Sequence, residues 1–133
     1  MPSGEFQTVP VLERLQALGM SLLTEWDALA FLYRHPASLC TAAQIARLIG
    51  YDKAEVGAAL HNLETLGLIQ RSRVSQGIRF YRFSEPQDPS RRSCLLELMS
   101  LAQNRTGRLQ LLKHLENSRQ EPRRRRDSGL RLA

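Results

Sequence analysis

Apolar residues recur at helical spacing along most of the chain and at every second position over one short stretch, and this change of period organises the sequence. Thr24 precedes a stripe of Trp26, Leu29, Ala30, Leu32 and Tyr33. Asp27, three residues after Thr24, makes a variant of the capping box, and Pro36 stops the predicted helix. Thr41 precedes Ala42, Ala43, Gln44, Ile45, Ala46, Arg47, Leu48 and Ile49; Gln44 completes a Thr/Gln capping box and Gly50 follows the last apolar position. After a turn of Gly50, Tyr51 and Asp52, a third helix is predicted, capped by Asp52 and answered by Glu55. Val56, Ala59, Leu60 and Leu63 form its apolar stripe, and Gly67 ends it.

Beyond Gly67 the period falls towards two. Residues 68–74 and 78–83 are rich in β-branched and aromatic side chains, and Ser75, Gln76 and Gly77 between them predict a hairpin turn. Three helices and a hairpin in about sixty residues form the pattern of a winged helix-turn-helix, and Pro86 and Pro89 mark a linker after it. Two amphipathic stretches follow: residues 90–103, with Leu95, Leu98, Met99 and Ala102, and residues 106–117, with Leu109, Leu112 and Leu115. A shorter stretch, residues 11–18, carries Leu12, Leu15 and Leu18. The predicted fold is mainly α with a small β-hairpin wing. Residues 1–23 are an N-terminal extension with a short helix and residues 24–84 the winged helix-turn-helix domain. Residues 85–117 are a linker and C-terminal helices that pair in a dimer, and residues 118–133 a basic, disordered tail.

Composition removes several classes of function. The chain has 133 residues, 42 % hydrophobic and 24 % charged, which suits one globular domain with a flanking element. The stretch from residue 9 to 23 is broken by Glu13 and Arg14, so it does not read as a secretory leader, and no apolar run approaches bilayer length. A cytoplasmic location without membrane association is expected. Cys40 and Cys94 have no C-x-x-C spacing and no histidine at ligand distance, so they read as two reduced thiols rather than a disulfide or zinc site. With no Gly-rich phosphate loop, no nucleophile elbow, and His35, His61 and His114 lacking partner spacing, no catalytic residue, metal or cofactor is expected.

Charge is concentrated. The net charge is +6, and residues 105–133 hold nine basic against three acidic side chains, including the run Arg123, Arg124, Arg125 and Arg126. Arg71, Arg73, Arg79 and Arg82 fall within residues 68–82, a stretch without one acid. One or two charges of either sign suffice to protect a sheet edge, whereas four arginines suit a phosphate backbone. In a helix-turn-helix the second helix of the motif enters the major groove. With Val56 at the core centre, Ala54, Ala58, His61, Asn62 and Thr65 face outward, giving His61, Asn62 and Thr65 as base-reading candidates and Lys53 as a phosphate contact.

Residues 41–81 resemble the winged helix-turn-helix regulators of the MarR and ArsR type. The likeness rests on Thr41, Ala42, Ala43, Gln44, Ile45 and Ala46, on Val56, Leu60 and Leu63, and on the junction Leu63-Glu64-Thr65-Leu66-Gly67-Leu68-Ile69-Gln70-Arg71. Ala46 is small enough for close helix packing, Gly67 permits a left-handed cap, and Leu68 and Ile69 return the chain to the core. The resemblance implies a transcription regulator that binds double-stranded DNA as a homodimer. Two departures stand out: the wing lacks the Asp-x-Arg pair common in MarR-type proteins, and Gly57 and Ala58 stand where relatives carry arginine or polar residues. That lean face also suits a different reading, a winged-helix adaptor that binds protein rather than DNA.

Overall fold

The computed structural model describes residues 3–73 and 76–116, with side chains from Val11 onward. Their order is α1 (Ser3–Leu18), α2 (Leu23–Arg34), α3 (Ala42–Ile49), α4 (Lys53–Thr65), β1 (Ile69–Arg71), β2 (Tyr81–Phe83), α5 (Pro89–Leu101) and α6 (Arg105–Leu112). Mainly helical with one antiparallel hairpin, this is the architecture expected from the periodicity. The tail with Arg123, Arg124, Arg125 and Arg126 lies outside the described residues, as do Val74 and Ser75.

Local signals place the middle of the domain. Thr41 Oγ1 accepts from the Gln44 N–H at 3.1 Å while Gln44 Oε1 accepts from the Thr41 N–H at 2.9 Å, a reciprocal capping box at the start of α3. At the end of α4 the Leu68 N–H reaches the Leu63 carbonyl and the Gly67 N–H the Glu64 carbonyl, both at 3.0 Å. This is a Schellman closure, and it needs the left-handed backbone that Gly67 supplies at φ 79°. The start of α2 departs from the sequence expectation. Thr24 is not its cap: the helix begins at Leu23, Thr24 is buried inside it, and the Glu25 side chain turns back to accept from the Ser21 and Leu22 N–H groups. An acid at the third helical position thus satisfies the two backbone donors just ahead of the helix, the half of a capping box that does not need a polar cap side chain.

The hairpin is shorter than the alternating pattern suggests. The register pairs Ile69 with Phe83, Gln70 with Arg82, and Arg71 with Tyr81. One step further, Ser72 N–H still donates to the Phe80 carbonyl, but the Phe80 N–H goes to the Ser72 hydroxyl instead of its carbonyl. A serine side chain competing for a ladder donor ends the regular strand. The other edge of β2 is held by a single bridge, Tyr81 N–H to the Cys40 carbonyl at 2.8 Å. At the tip, Gln76 and Gly77 have φ of 55° and 77°, the left-handed backbone that glycine adopts freely.

Two groups of helices share one core. Trp26, Leu29, Leu32, Ile45, Val56, Leu60 and Leu63 are buried where α2, α3 and α4 meet, and Ile69 and Leu68 join them from the wing. Tyr33 of α2 meets Phe83 of β2 edge-on at 5.1 Å, seating the sheet on the helices. On the other side, α1 packs on α5 and α6, burying Val11, Leu15, Leu18, Leu95, Leu98, Met99 and Leu111. The α5 stripe is the one the sequence predicts. In α1, Leu15 and Leu18 are buried as the sequence predicts, but Val11 is buried where the sequence points to Leu12, and Leu12 is 40 % exposed. In α6, Leu111 is buried and Leu109 is 54 % exposed, while Leu115, just beyond the helix, is buried as expected. These flanking helices therefore bury their main faces within one chain.

Candidate nucleic-acid interface

Helix α4 is positioned from behind. Val56, Ala59, Leu60 and Leu63 anchor it, and the turn before it is pinned to α2 by the Tyr51 hydroxyl donating to Asp27 Oδ2 at 2.6 Å. The face left to solvent carries Lys53, Ala54, Ala58, His61 and Thr65, as the helical phase predicts. Thr65 donates its hydroxyl back to the His61 carbonyl at 3.0 Å, so that hydroxyl keeps only acceptor capacity for a ligand. Gly57 is half-buried, and a Cβ built on it meets nothing within 4 Å, so packing inside this chain does not demand a glycine there.

Asn62 sits differently from its neighbours. It is half-buried, and its Nδ2 donates to Glu25 Oε2 at 2.6 Å. Reading adenine in a bidentate fashion uses both the amide N–H and the amide oxygen, and here the amide nitrogen faces a carboxylate. The structure gives Asn62 a partner 37 residues away in sequence, which leaves His61 and Thr65 as the exposed polar side chains in the middle and last turns of α4.

The four wing arginines do not share one face. Ile69, Arg71, Tyr81 and Phe83 lie on the side that packs towards the helices, where Arg71 Nε meets Glu64 Oε2 of α4 at 3.2 Å. Gln70 and Arg82 lie on the outer side, where Arg82 Nε and Nη2 both donate to Gln70 Oε1, at 3.3 and 3.1 Å. Arg73 is exposed near the tip. Arg79 shares a hollow of about 450 Å³ with Lys53, together with Thr41, Ala42, Ala43 and Tyr81. The start of α3, the start of α4 and the returning wing thus converge on one concavity, with two cations and no carboxylate in its lining. Lys53 and Arg79 are 26 positions apart and belong to different elements, so neither spacing nor periodicity links them. Glu25, Glu64 and Gln70, which occupy three of the candidate polar groups, also carry no signal in the sequence pattern.

Comparisons with known proteins bear on the fold that carries these residues. A family model described as the MarR family matches residues 18–77, which span α2, α3, α4, β1 and the hairpin turn. Over those residues the chain is similar to the MarR family. The fold agrees: a Staphylococcus aureus MepR–DNA complex superposes with a TM-score of 0.55 at 21 % identity, over 74 % of this chain and 76 % of that one. A second structure of MepR, a transcription regulator of the S. aureus multidrug efflux pump MepA, gives 0.54 at 18 % identity over 96 % and 87 %. A MarR-family transcriptional regulator from Silicibacter pomeroyi gives 0.52 at 16 % identity over 96 % and 79 %. No curated protein matches the sequence. MarR-family proteins are transcription regulators and not enzymes. Among the described residues, no group of three or more histidine, cysteine or acidic side chains could hold a metal ion, and no helix is long and apolar enough to cross a membrane.

Proposed function

We propose that this protein is a cytoplasmic transcription regulator that binds double-stranded DNA as a homodimer, with α4 in the major groove and the wing on the phosphate backbone. The observation that carries the reading is the hollow joining Lys53 of α4 to Arg79 of the wing, set in a domain similar to the MarR family. Cations converging from two elements on an acid-free concavity suit a phosphate, which carries no sequence information but fixes register. Arg73 at the tip extends the same basic surface, and Arg71 and Arg82 stand beside it with Glu64 and Gln70 as local partners. His61 and Thr65 are the side chains left to read base edges, so sequence preference rests more on DNA shape and half-site spacing than on direct contacts. Leu12, Leu96 and Leu109, exposed on α1, α5 and α6, give the flanking layer an apolar surface for a second copy.

Fluorescence anisotropy of mixed-sequence duplex DNA over a salt series tests the reading. Log affinity should fall linearly with log salt, with two chains bound per site. No binding at low salt would overturn it. The reading as a protein-binding adaptor has one observation in its favour, the small outward residues Ala54, Gly57 and Ala58, which let another backbone approach α4 closely.

A further inference from the structure

Glu25 is the one buried carboxylate among the described residues, 3 % exposed, and none of their ion pairs includes it. Burying an unpaired carboxylate is costly unless hydrogen bonds replace its water. Here three donors do so: Ser21 N–H at 3.1 Å and Leu22 N–H at 3.3 Å on Oε1, and Asn62 Nδ2 at 2.6 Å on Oε2. The two backbone donors belong to the turn between α1 and α2, and the third belongs to α4. The same turn is gripped from its other side by the end of the flanking layer: Glu116 N–H donates to the Ser21 carbonyl at 2.8 Å, and Leu23 N–H donates to the Glu116 carbonyl at 2.7 Å. An unbroken chain of hydrogen bonds thus runs from residue 116, beyond α6, through residues 21–23 and Glu25 to Asn62.

We propose that Glu25 is the positioning residue of α4, fixing through Asn62 how the outward face of the helix is turned and tying it to the flanking helices. The proposal rests on the reading of α4 as the groove-entering helix. A carboxylate suits the role because one oxygen can serve the turn while the other serves α4, and both must be accepting. Asn62 lies beside His61 and one helical turn from Ala58 and Thr65, so a rotation of α4 moves all the DNA-facing side chains together.

The pairing makes a rescue test available. Asn62→Asp sets two carboxylates against each other and should weaken duplex binding about tenfold or more at equal folded fraction, with the salt slope unchanged because the wing is untouched. Adding Glu25→Gln restores a complementary pair, since the new amide can accept from the turn and donate to α4; affinity should return to within about threefold of the parent. Ala58→Asp, an acid added on the exposed face of α4, controls for charge, and Glu25→Gln should not rescue it. Wild-type affinity in Asn62→Asp, a folded double variant that stays weak, or equal rescue of Ala58→Asp would each overturn the proposal. Should Asn62→Asp fail to fold, the thermal melt decides: Glu25→Gln must restore its Tm, and a double variant that stays unfolded overturns the pairing. A parent chain that binds no duplex sinks the functional reading itself, whereas failed rescue in a DNA-binding parent sinks only the role of Glu25.

Discussion

On α4, past Lys53 at its start and apart from His61, the outward positions are short or already engaged: Ala54 and Ala58 offer a methyl group, Thr65 bonds its own helix, and Asn62 bonds Glu25. On the wing they are long and cationic, and two of them, Arg73 and Arg79, have no ion pair among the described residues. The two elements meet at the Schellman turn around Gly67 and share the buried Leu63, Leu68 and Ile69, yet present different chemistry to solvent. On the reading proposed above, such a surface would separate affinity from discrimination: the cations would strengthen the hold on any duplex, while α4 would contribute its shape and few hydrogen bonds.

The strongest way to break that comparison is to strip the cations of the hollow and the wing tip. Replacing Lys53, Arg73 and Arg79 together with alanine should lower the log–log salt slope by about 0.9 for each phosphate no longer neutralised, and should weaken binding to all sequences alike. Stability should hardly change, because none of the three is buried and none supports the core. Parallel anisotropy titrations on two unrelated duplexes check this. Weakening confined to one duplex would transfer base reading to the wing and reverse the division between the two elements.

How far that division could be read from sequence depends on how local each cause is. The Thr41–Gln44 box, the Gly67 closure and the α5 stripe are decided within a few residues, and the sequence predicts each of them. Thr24 misleads because the side chain that closes the α2 terminus is Glu25, one residue further into the first turn, whose second oxygen answers to Asn62 in another helix. The strands are overestimated because the Ser72 hydroxyl, not strand propensity, takes the Phe80 donor. Among the site residues, outward exposure of His61 and Thr65 follows from helical phase alone. The fates of Asn62, Arg71 and Arg82 depend on partners in other elements or across the hairpin, which a linear pattern does not contain.

Gly57 offers a smaller and sharper test on the α4 side. Glycine inside a helix costs roughly 0.5–1 kcal/mol relative to alanine, and the open space around its Cβ position offers no internal compensation. Gly57→Ala should therefore stabilise the free protein by about that amount, measured by urea denaturation. If α4 approaches the DNA closely at this flank, the same methyl group should weaken duplex binding while the salt slope stays fixed. Stabilisation with unchanged affinity would move the close approach elsewhere on the helix.

The smallest expected effect lies where the two elements touch, at Glu64 and Arg71. Both side chains are about one-third exposed, so the pair contributes about 0–1 kcal/mol to stability and Glu64→Gln should leave the Tm nearly unchanged. Its consequence for binding is larger than for folding. The substitution releases the Arg71 guanidinium from its intramolecular partner, so that Arg71 can compete for a phosphate. The salt slope should then rise by up to about 0.9, and the increase in affinity should be greatest at low ionic strength and fade as the Debye length shortens. A variant that melts lower and binds with the parent's slope would make Arg71 a strut between wing and α4 instead of a reserve cation. The basic surface would then rest on Lys53, Arg73, Arg79 and Arg82 alone.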